Sequence, residues 1–346
     1  MKITTIGIDL AKEVFQIHCV DAHGKVVLHK QLRRNEMAKF FANLEPCLIG
    51  MEACSSAHYW ARKLGECGHT VKLMAPQFVK PYVKTNKNDM ADAEAICEAV
   101  NRPNMRFVPI KNIEQQAILS VHRARQGFVK ARTAQANQIR GLLSEFGIII
   151  PQGISSVAKR MPEILEDAEN SLPGTLRKLL DRLNEQLKEL CRQVEELELQ
   201  IKVWHKESEA SRKLEAIPGI GPITASAIVA TVGNATEFKN SRQLAAWMGL
   251  VPKQHSSGGK QTLLGISKRG DTYLRTLLIH GARSVIRFAE NKAEPESWLR
   301  KLMARRNKNV ATVALANKNA RIIWALLAKG RTYEQNYTPA PKAVTA

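Results

Sequence analysis

The sequence predicts a mixed α/β amino-terminal domain, a long helical connector and a mainly helical carboxy-terminal domain. Strand and helix patterns alternate over residues 1–100, a heptad repeat runs from 172 to 204, and small-residue helices with Gly/Pro-rich loops follow residue 214. The 346 residues are also too many for one ordinary core. We therefore predict domains at 1–110, 111–213 and 214–332, followed by a disordered tail at 333–346.

The first domain begins with three short β-rich runs joined by polar turns, a pattern typical of an antiparallel meander. Helical and strand-like segments then alternate, and Pro76 takes the favoured first position of a further helix. The predicted strands are 3–10, 14–20, 26–32, 47–51 and 71–74, with helices at 36–44 and 57–64. This order predicts a mixed sheet with helices on its faces, as in the RNase H-like fold.

Two long helices are predicted in the connector. The first covers 112–146 in a basic segment, and a Pro-Gln-Gly break follows at 151–153. The second carries a heptad in two registers: Leu176, Leu183, Leu190, Leu197 and Trp204, and Leu180, Leu187, Val194 and Ile201. This repeat indicates a coiled-coil seam in a helical hairpin or a dimer contact, or else one helix packed in a globular core. Because residues 163–216 are net acidic, with thirteen acidic residues against nine basic ones, we assign this part of the connector to assembly rather than to contact with a polyanion.

The carboxy-terminal domain is predicted to be helical, with helices at 223–232, 238–249, 271–288 and 296–327 and a Gly/Ser-rich loop at 255–260. A Gly/Pro loop at 218–222 resembles a helix-hairpin-helix turn, whose amides can bind a backbone phosphate, and a plain helix-connecting loop is the alternative. From 252 to 346 there are eighteen Lys and Arg residues against five acidic ones.

The charge balance of the whole chain points to a polyanionic partner. Fifty-two Lys and Arg residues face 32 Asp and Glu residues, a formal net charge of +20. Such an excess opposes compaction unless a polyanion neutralises it, so nucleic acid is the leading partner, with an incidentally basic or ribosome-like protein as the alternative. The six cysteines lack zinc-ligand spacing, and no signal pattern or run of about 18 apolar residues is present, which predicts a cytoplasmic protein without a membrane span.

Four carboxylates occupy positions from which they could converge. Asp9 ends the first predicted strand, Glu52 ends a strand expected beside it, and Asp89 and Asp92 lie three apart at the start of a helix. Taken singly, each could have an ordinary structural role: Asp9 as a strand-end cap, Glu52 as a turn residue, and Asp89 or Asp92 as a helix N-cap. Together they would repel one another unless divalent cations bound them, and oxygen-only ligands favour Mg²⁺ or Mn²⁺. Two such ions can activate an attacking oxygen and stabilise a leaving oxygen in phosphodiester chemistry.

Glycine, serine and basic residues combine in the 255–275 segment. Glycines let a backbone approach a phosphate closely, and a serine hydroxyl there could attack phosphorus if it were activated. The cations available to hold the phosphate are Lys260, Lys268, Arg269 and Arg275. The residue chemistry alone predicts a phosphate-binding loop and leaves a nucleophilic serine open.

Nearly the whole chain resembles the DEDD insertion-sequence transposases, the IS110 family with its IS1111 subgroup, to which the Piv-type DNA invertases are related. The resemblance rests on the motifs GIDLAK at 7–12, MEA at 51–53 and KNDMADA at 87–93, and on GLVP at 249–252 with the later Ser-Gly pair and ISKRG at 266–270. It implies a RuvC-like domain with Asp9, Glu52, Asp89 and Asp92 as metal ligands. It also implies Ser257 as the nucleophile of a covalent phosphoserine link to DNA, with Ser256 adjacent and Ser267 ranked lower.

The resemblance further implies a bacterial transposase or site-specific recombinase that acts as a dimer or tetramer. A structured bridge RNA from the element would guide it, so that base pairing reads the element ends and the target. Two other functions stay open at this point. One is a metal-dependent nuclease or Holliday-junction resolvase without a covalent step, and the other is a non-catalytic nucleic-acid-binding scaffold.

Overall fold

The computed structural model describes residues 2–84, 88–292 and 297–335, with the side chains of 290–292 excepted. The chain divides into two compact units, Met1–Glu114 and Gln115–Ala346. Each unit has its own buried clusters of apolar side chains. Among the residues within these bounds, no helix is both long enough and apolar enough to cross a membrane.

The amino-terminal unit is built on one six-stranded sheet in the order β3-β2-β1-β4-β5-β6. The strands are β1 Thr5–Leu10, β2 Val14–Val20, β3 Val26–Arg33, β4 Leu48–Glu52, β5 Thr70–Met74 and β6 Phe107–Val108. The first three form an antiparallel meander, β1, β4 and β5 run parallel, and β6 returns antiparallel. The predicted meander and the predicted pairing of the first and fourth strands are confirmed, whereas β6 was not predicted.

Helices cover both faces of this sheet. They are α1 Met37–Ala42, α2 Ala57–Glu66, α3 Pro76–Val79 and α4 Asp89–Val100, with a 3₁₀ turn at Lys80–Tyr82. Phe15 and Trp60 meet edge to face at 5.5 Å, which places α2 on one face. Gly7 and Gly50 are in close contact with α4. Gly7 pairs with His18, which lies three residues from Phe15 on β2 and therefore faces the opposite side of the sheet, so α4 covers the second face.

The second unit is mainly helical. Its elements are α5 Ile113–Ser144 (which begins two residues before the unit boundary), α6 Ile154–Glu166, α7 Gly174–Glu207, α8 Glu209–Glu215, α9 Pro222–Val232, α10 Ser241–Trp247, β7 Pro252–Ser257, β8 Lys260–Ile266, α11 Thr272–Lys292, α12 Trp298–Arg305 and α13 Lys308–Lys329, with a 3₁₀ turn at Ala235–Glu237. The predicted helix 296–327 is wrong as a single element, because the chain is extended at Arg306 and Asn307 caps a new helix. Of the predicted tail, 336–346 lies outside the described residues.

The heptad segment forms the long helix α7. Its register Leu180, Leu187, Val194 and Ile201 is at most 2% exposed. The buried contacts are made within the chain: Leu180 and Leu187 cluster with Ile139 on α5, and Ile201 clusters with Ile118. Contact positions on α5 therefore rise as those on α7 fall, so the two helices pack antiparallel. Of the predicted alternatives, the helical hairpin describes what one chain contains.

Candidate metal centre and serine hairpin

Asp9 and Glu52 lie at the ends of two neighbouring parallel strands. The register between the two strands ends with the pair Ile8 and Met51, and the next residue on each strand is the carboxylate. Both side chains are half-buried. Burial raises the pKa of the nearby Cys54 thiol, and the negative charges of Glu52 and Asp9 raise it further. Because adjacent strands are about 4.8 Å apart, residues at the same level on β1 and β4, as Asp9 and Glu52 are, lie close to one another.

Two glycines let α4 lie directly on the sheet beside these carboxylates. A Cβ on Gly7 would lie 2.2 Å from the Ala93 carbonyl oxygen, and one on Gly50 would lie 2.8 Å from the Val100 Cβ. Gly7 and Asp9 are two residues apart on β1, as are Gly50 and Glu52 on β4, so both carboxylates face the α4 side of the sheet. A side chain larger than hydrogen at either glycine would push the helix away.

The first turn of α4 points to the carboxylate end of the sheet. The Thr5 hydroxyl, at the start of β1, donates to Asn101 Oδ1 at 3.2 Å, beyond the carboxy-terminal end of α4. The helix therefore runs antiparallel to β1 and carries Asp89 and Asp92 towards the Asp9 end. Asp89 lies one turn before Ala93, the residue whose carbonyl contacts Gly7. Asn88 caps this turn by accepting from the Ala91 amide at 2.8 Å.

All four predicted ligands are therefore on the α4 side of the sheet, towards the carboxyl ends of β1 and β4. Their donor chemistry fits a hard divalent cation, since every ligand atom is a carboxylate oxygen. The described part of the chain, which includes these four residues, nevertheless contains no group of three or more His, Cys, Asp or Glu side chains arranged to hold a metal ion. The structure thus brings Asp9 and Glu52 together and sets Asp89 and Asp92 on the facing helix.

The serine segment is a β-hairpin. The predicted loop at 255–260 is therefore wrong as a description of the backbone. Strands β7 and β8 pair Ser257 with Lys260 across the two-residue turn. Gly258 and Gly259 both have positive φ, +56° and +78°, as hairpin turns of this length require. The Ser256 hydroxyl accepts a hydrogen bond from Gln254 Nε2 at 2.9 Å. Every residue from 252 to 265 is exposed, so Ser257 is open to a large substrate.

The four predicted phosphate-binding cations differ in their surroundings. Lys260, Lys268 and Arg269 are exposed. Arg275 is only 8% exposed, and its guanidinium donates to the Met248 carbonyl at 3.3 Å and to the Thr272 hydroxyl at 3.2 Å. The prediction for Arg275 is therefore corrected, because its donors are engaged inside the domain: one joins α11 to Met248 at the end of α10, and the other reaches Thr272 on α11 itself. Ser267 Oγ is buried and has no hydrogen-bond partner in the described part of the structure.

The Gly/Pro loop at 218–222 is explained by packing. A Cβ on Gly219 would lie 2.7 Å from the Gly281 carbonyl oxygen, and Asn319 Nδ2 donates to the Pro218 carbonyl at 3.0 Å. The loop is thus fixed against α11 and α13. Its glycine is required by a close backbone approach within the domain, as in the plain connecting-loop alternative.

A buried polar network in the second unit was not predicted. His122 on α5 is 1% exposed and lies between the Tyr273 hydroxyl and the Ser226 hydroxyl, each 3.0 Å from one ring nitrogen. Burial, with a smaller effect from the charge of Arg125, lowers the pKa of His122 to about 4. On the same helix, Arg125 binds Glu198 of α7 with an N–O distance of 2.5 Å. The sequence indicates this network only through the position of His122, which is four residues after Ile118 and so on the same face of the helix.

The sheet order and the strand-end carboxylates agree with the class of RNase H-like proteins. Residues 6–148 match a family profile of DEDD transposases of the IS110 type, described as "Transposase", and residues 211–296 match one described as "Transposase IS116/IS110/IS902 family". The chain therefore belongs to the IS110 family of insertion-sequence transposases. The first of these matches implies a RuvC-like fold for the amino-terminal unit.

Full-length relatives support this assignment. The chain is 53% identical over 335 residues to a probable family 20 transposase of Pseudomonas aeruginosa, covering 96% of this chain and 99% of the relative. It is 44% identical to the transposase for insertion sequence element IS1328 of Yersinia enterocolitica, with 96% and 99% covered. It is also 44% identical to the transposase for IS1111A of Coxiella burnetii, with 96% and 91% covered.

Proposed function

We propose that this transposase cuts and joins DNA with a divalent metal site formed by Asp9, Glu52, Asp89 and Asp92, and with Ser257 as a covalent nucleophile. The observation that carries the proposal is the placement of Asp9 and Glu52 at adjacent parallel strand ends, on the face that α4 covers. Such a pair is rigidly held by the sheet, which keeps the two carboxylates in register without help from a loop.

Mg²⁺ or Mn²⁺ would be the ion held by these side chains, because all of their ligand atoms are hard oxygens. When bound, such ions polarise phosphoryl oxygens and stabilise attacking and leaving oxygens. The protein residues supply the placement: β1 and β4 fix Asp9 and Glu52, and the close approach of α4 at Gly7 sets the height of Asp89 and Asp92 above the sheet.

Ser257 is favoured over its neighbours by exposure and by hydrogen bonding. Ser267 Oγ is buried, and Ser256 Oγ is engaged by Gln254. In the covalent step, Ser257 Oγ forms a bond to phosphorus, a backbone P–O bond breaks, the departing sugar oxygen keeps the electron pair, and the serine proton is released as that oxygen is protonated. Lys260, paired with Ser257 across the turn, places a positive charge beside the phosphate.

The proposed partners are DNA at the element ends and target, a bridge RNA that reads sequence by base pairing, and further copies of the chain in a dimer or tetramer. The net charge of +20 supports binding to nucleic acid. Because phosphate contacts dominate such binding, affinity should fall steeply with salt, while sequence preference should follow the guide.

A trapping experiment tests the covalent step. The protein is incubated with Mg²⁺, guide RNA and a nicked suicide DNA, and adducts are resolved on denaturing gels. We expect an adduct with wild-type protein and with the matched control Ser256→Ala, and none with Ser257→Ala. A wild-type protein that cleaves without an adduct would instead be a nuclease or resolvase. Activity that survives Asp9→Asn unchanged would leave only a binding scaffold.

A further inference from the structure

A groove of about 650 Å³ opens on the amino-terminal unit, beside the start of β2 and the end of β3. Its lining includes Arg33, Arg34, Tyr59 and Trp60, with Glu13 at its margin. The volume is in the range of sites that hold one small ligand. None of these residues belongs to the metal or serine site proposed above.

The wall of the groove on the α2 side is aromatic. Trp60 is 5% exposed and fixed edge to face against Phe15 at 5.5 Å, while Tyr59, 44% exposed, meets Trp60 at 5.2 Å. Trp60 Nε1 is buried and finds no acceptor among the residues the structure describes. Trp60 is therefore a fixed part of the wall, and Tyr59 is the aromatic ring that is open to a ligand.

Cations also line the groove, next to the aromatic wall. The Arg34 guanidinium lies 5.6 Å from the Trp60 ring, and its Nη1 donates to the Lys12 carbonyl at 3.3 Å, which fixes its position. Arg33 is exposed next to it. Two guanidiniums against the single carboxylate of Glu13 leave the lining net positive, and guanidinium groups suit phosphate because they can donate two parallel hydrogen bonds.

The groove lies near the same end of the strands as Asp9. Arg33 pairs with Val14, two residues from Gln16, and Gln16 pairs with Asp9. Two strand spacings and two residues along the strand put the Arg33 backbone roughly 12 Å from that of Asp9. Side chains alternate along β2, so Phe15 faces the groove and Gln16 faces α4. The aromatic wall of the groove is therefore on the opposite face of the sheet from the carboxylates. Arg33, which pairs with Val14, shares the face of Gln16 and borders the groove where β3 ends.

We propose that this groove binds one unpaired nucleotide of the nucleic-acid strand that passes the carboxylate edge. The base stacks on Tyr59, and the adjoining phosphate binds Arg33 and Arg34. Aromatic faces combined with cations are the means by which proteins hold single strands without reading their sequence. The site deepens the proposed function, on which it rests for the strand that it positions. DNA and RNA both carry the required chemistry.

Abasic scanning of bound oligonucleotides tests the proposal. Fluorescein-labelled single strands of DNA and of RNA, each with one abasic position moved along the chain, are titrated into full-length Asp9→Asn protein in EDTA and followed by anisotropy. We expect one position at which loss of the base weakens binding about tenfold, in line with stacking of a single base. The nucleic acid that shows the larger loss identifies the source of the nucleotide.

The variants Tyr59→Ala and Arg34→Ala distinguish a specific pocket from general charge. Tyr59→Ala should weaken binding of the intact strand to the affinity of the abasic strand, and the affinity should no longer depend on the abasic position. Phe146→Ala, which removes an equally exposed aromatic ring, should change neither result. Arg34→Ala should weaken binding and Arg182→Ala on α7 should not. A flat scan in the parent protein, or a position dependence that persists in Tyr59→Ala, overturns the proposal. Since nothing is cleaved in this assay, its failure is distinct from failure of the catalytic proposal.

Discussion

Replacement of Gly7 by alanine should disable the candidate metal centre, because the added methyl group pushes α4 away from the sheet. The new Cβ would lie 2.2 Å from the Ala93 carbonyl oxygen and 2.5 Å from the Cys97 amide nitrogen, while ordinary contacts begin at 3.4 Å. Because both neighbours are helix backbone, the clash cannot be relieved by a side-chain rotation. The whole of α4 must retreat by about 1.2 Å, the difference between the required and available oxygen distances, as overpacked interiors do.

The cost of that retreat can be bounded. Overpacking costs about 1–3 kcal/mol, and a clash with rigid backbone belongs at the upper end, so Gly7→Ala should lose roughly 3 kcal/mol of stability. A displacement near 1 Å can also cost about 100-fold in rate, because Asp89 and Asp92 move with α4. Hydrogen exchange of the α4 and β1 amides measures the first effect, and Mg²⁺-dependent DNA cleavage measures the second.

Gly65→Ala is the matched control for this experiment. Gly65 lies in α2, no atom comes within 4 Å of the added Cβ, and alanine is the better helix former by about 1 kcal/mol. The control should therefore be as stable as the parent protein or more so, with full cleavage activity. Native-like exchange and activity in Gly7→Ala would refute the packing argument and with it our account of how α4 is placed.

Two further predictions concern the second unit. His122 has a folded-state pKa of about 4 against an ordinary 6.5, so its stabilising effect is complete above pH 6.5 and is lost as the pH falls to about 4, by about 3 kcal/mol in total. Hydrogen exchange of the α5 amides at pH 7.5 and 5 should show about 2 kcal/mol of that loss in the parent, from the 1.5 pH units between 6.5 and 5, and a smaller loss in His122→Gln; equal losses would exclude His122 as the cause. Glu198→Gln should cost about 1 kcal/mol more than Glu189→Gln in urea unfolding, because the Arg125–Glu198 pair is 16% and 28% exposed whereas the Arg192–Glu189 pair is 59% and 46% exposed. Equal costs would contradict this.

Chain order and local pattern were sufficient to predict five of the six strands of the sheet. Alternating apolar residues marked the strands, and a strand after a meander and a crossover helix has few places to pair other than beside β1. The same reasoning put Asp9 and Glu52 at neighbouring strand ends, and the register of Ile8 with Met51 agrees. What the pattern did not reveal was why Gly7 and Gly50 precede the two carboxylates by two residues. That reason is the height of α4 above the sheet.

Features that depend on long-range contacts escaped prediction. The strands of the serine hairpin are exposed throughout and carry no apolar alternation, so only the Gly258-Gly259 turn could have indicated them. Arg275 looked like its basic neighbours because a sequence does not show burial. The groove beside β3 joins Arg34 to Trp60, twenty-six positions apart, through an edge of the sheet that exists only in the folded chain.

Binding of Mn²⁺ is the most direct test of the four-carboxylate site. The free ion is counted by electron paramagnetic resonance during titration of the parent protein, Asp9→Asn, Glu52→Gln and the exposed control Asp181→Asn. Loss of a direct ligand should cost about tenfold or more in affinity, since even supporting residues contribute that much. We expect weakened binding in Asp9→Asn and Glu52→Gln alone. Equal Mn²⁺ affinity in all four proteins would contradict the assignment of these carboxylates to a metal centre.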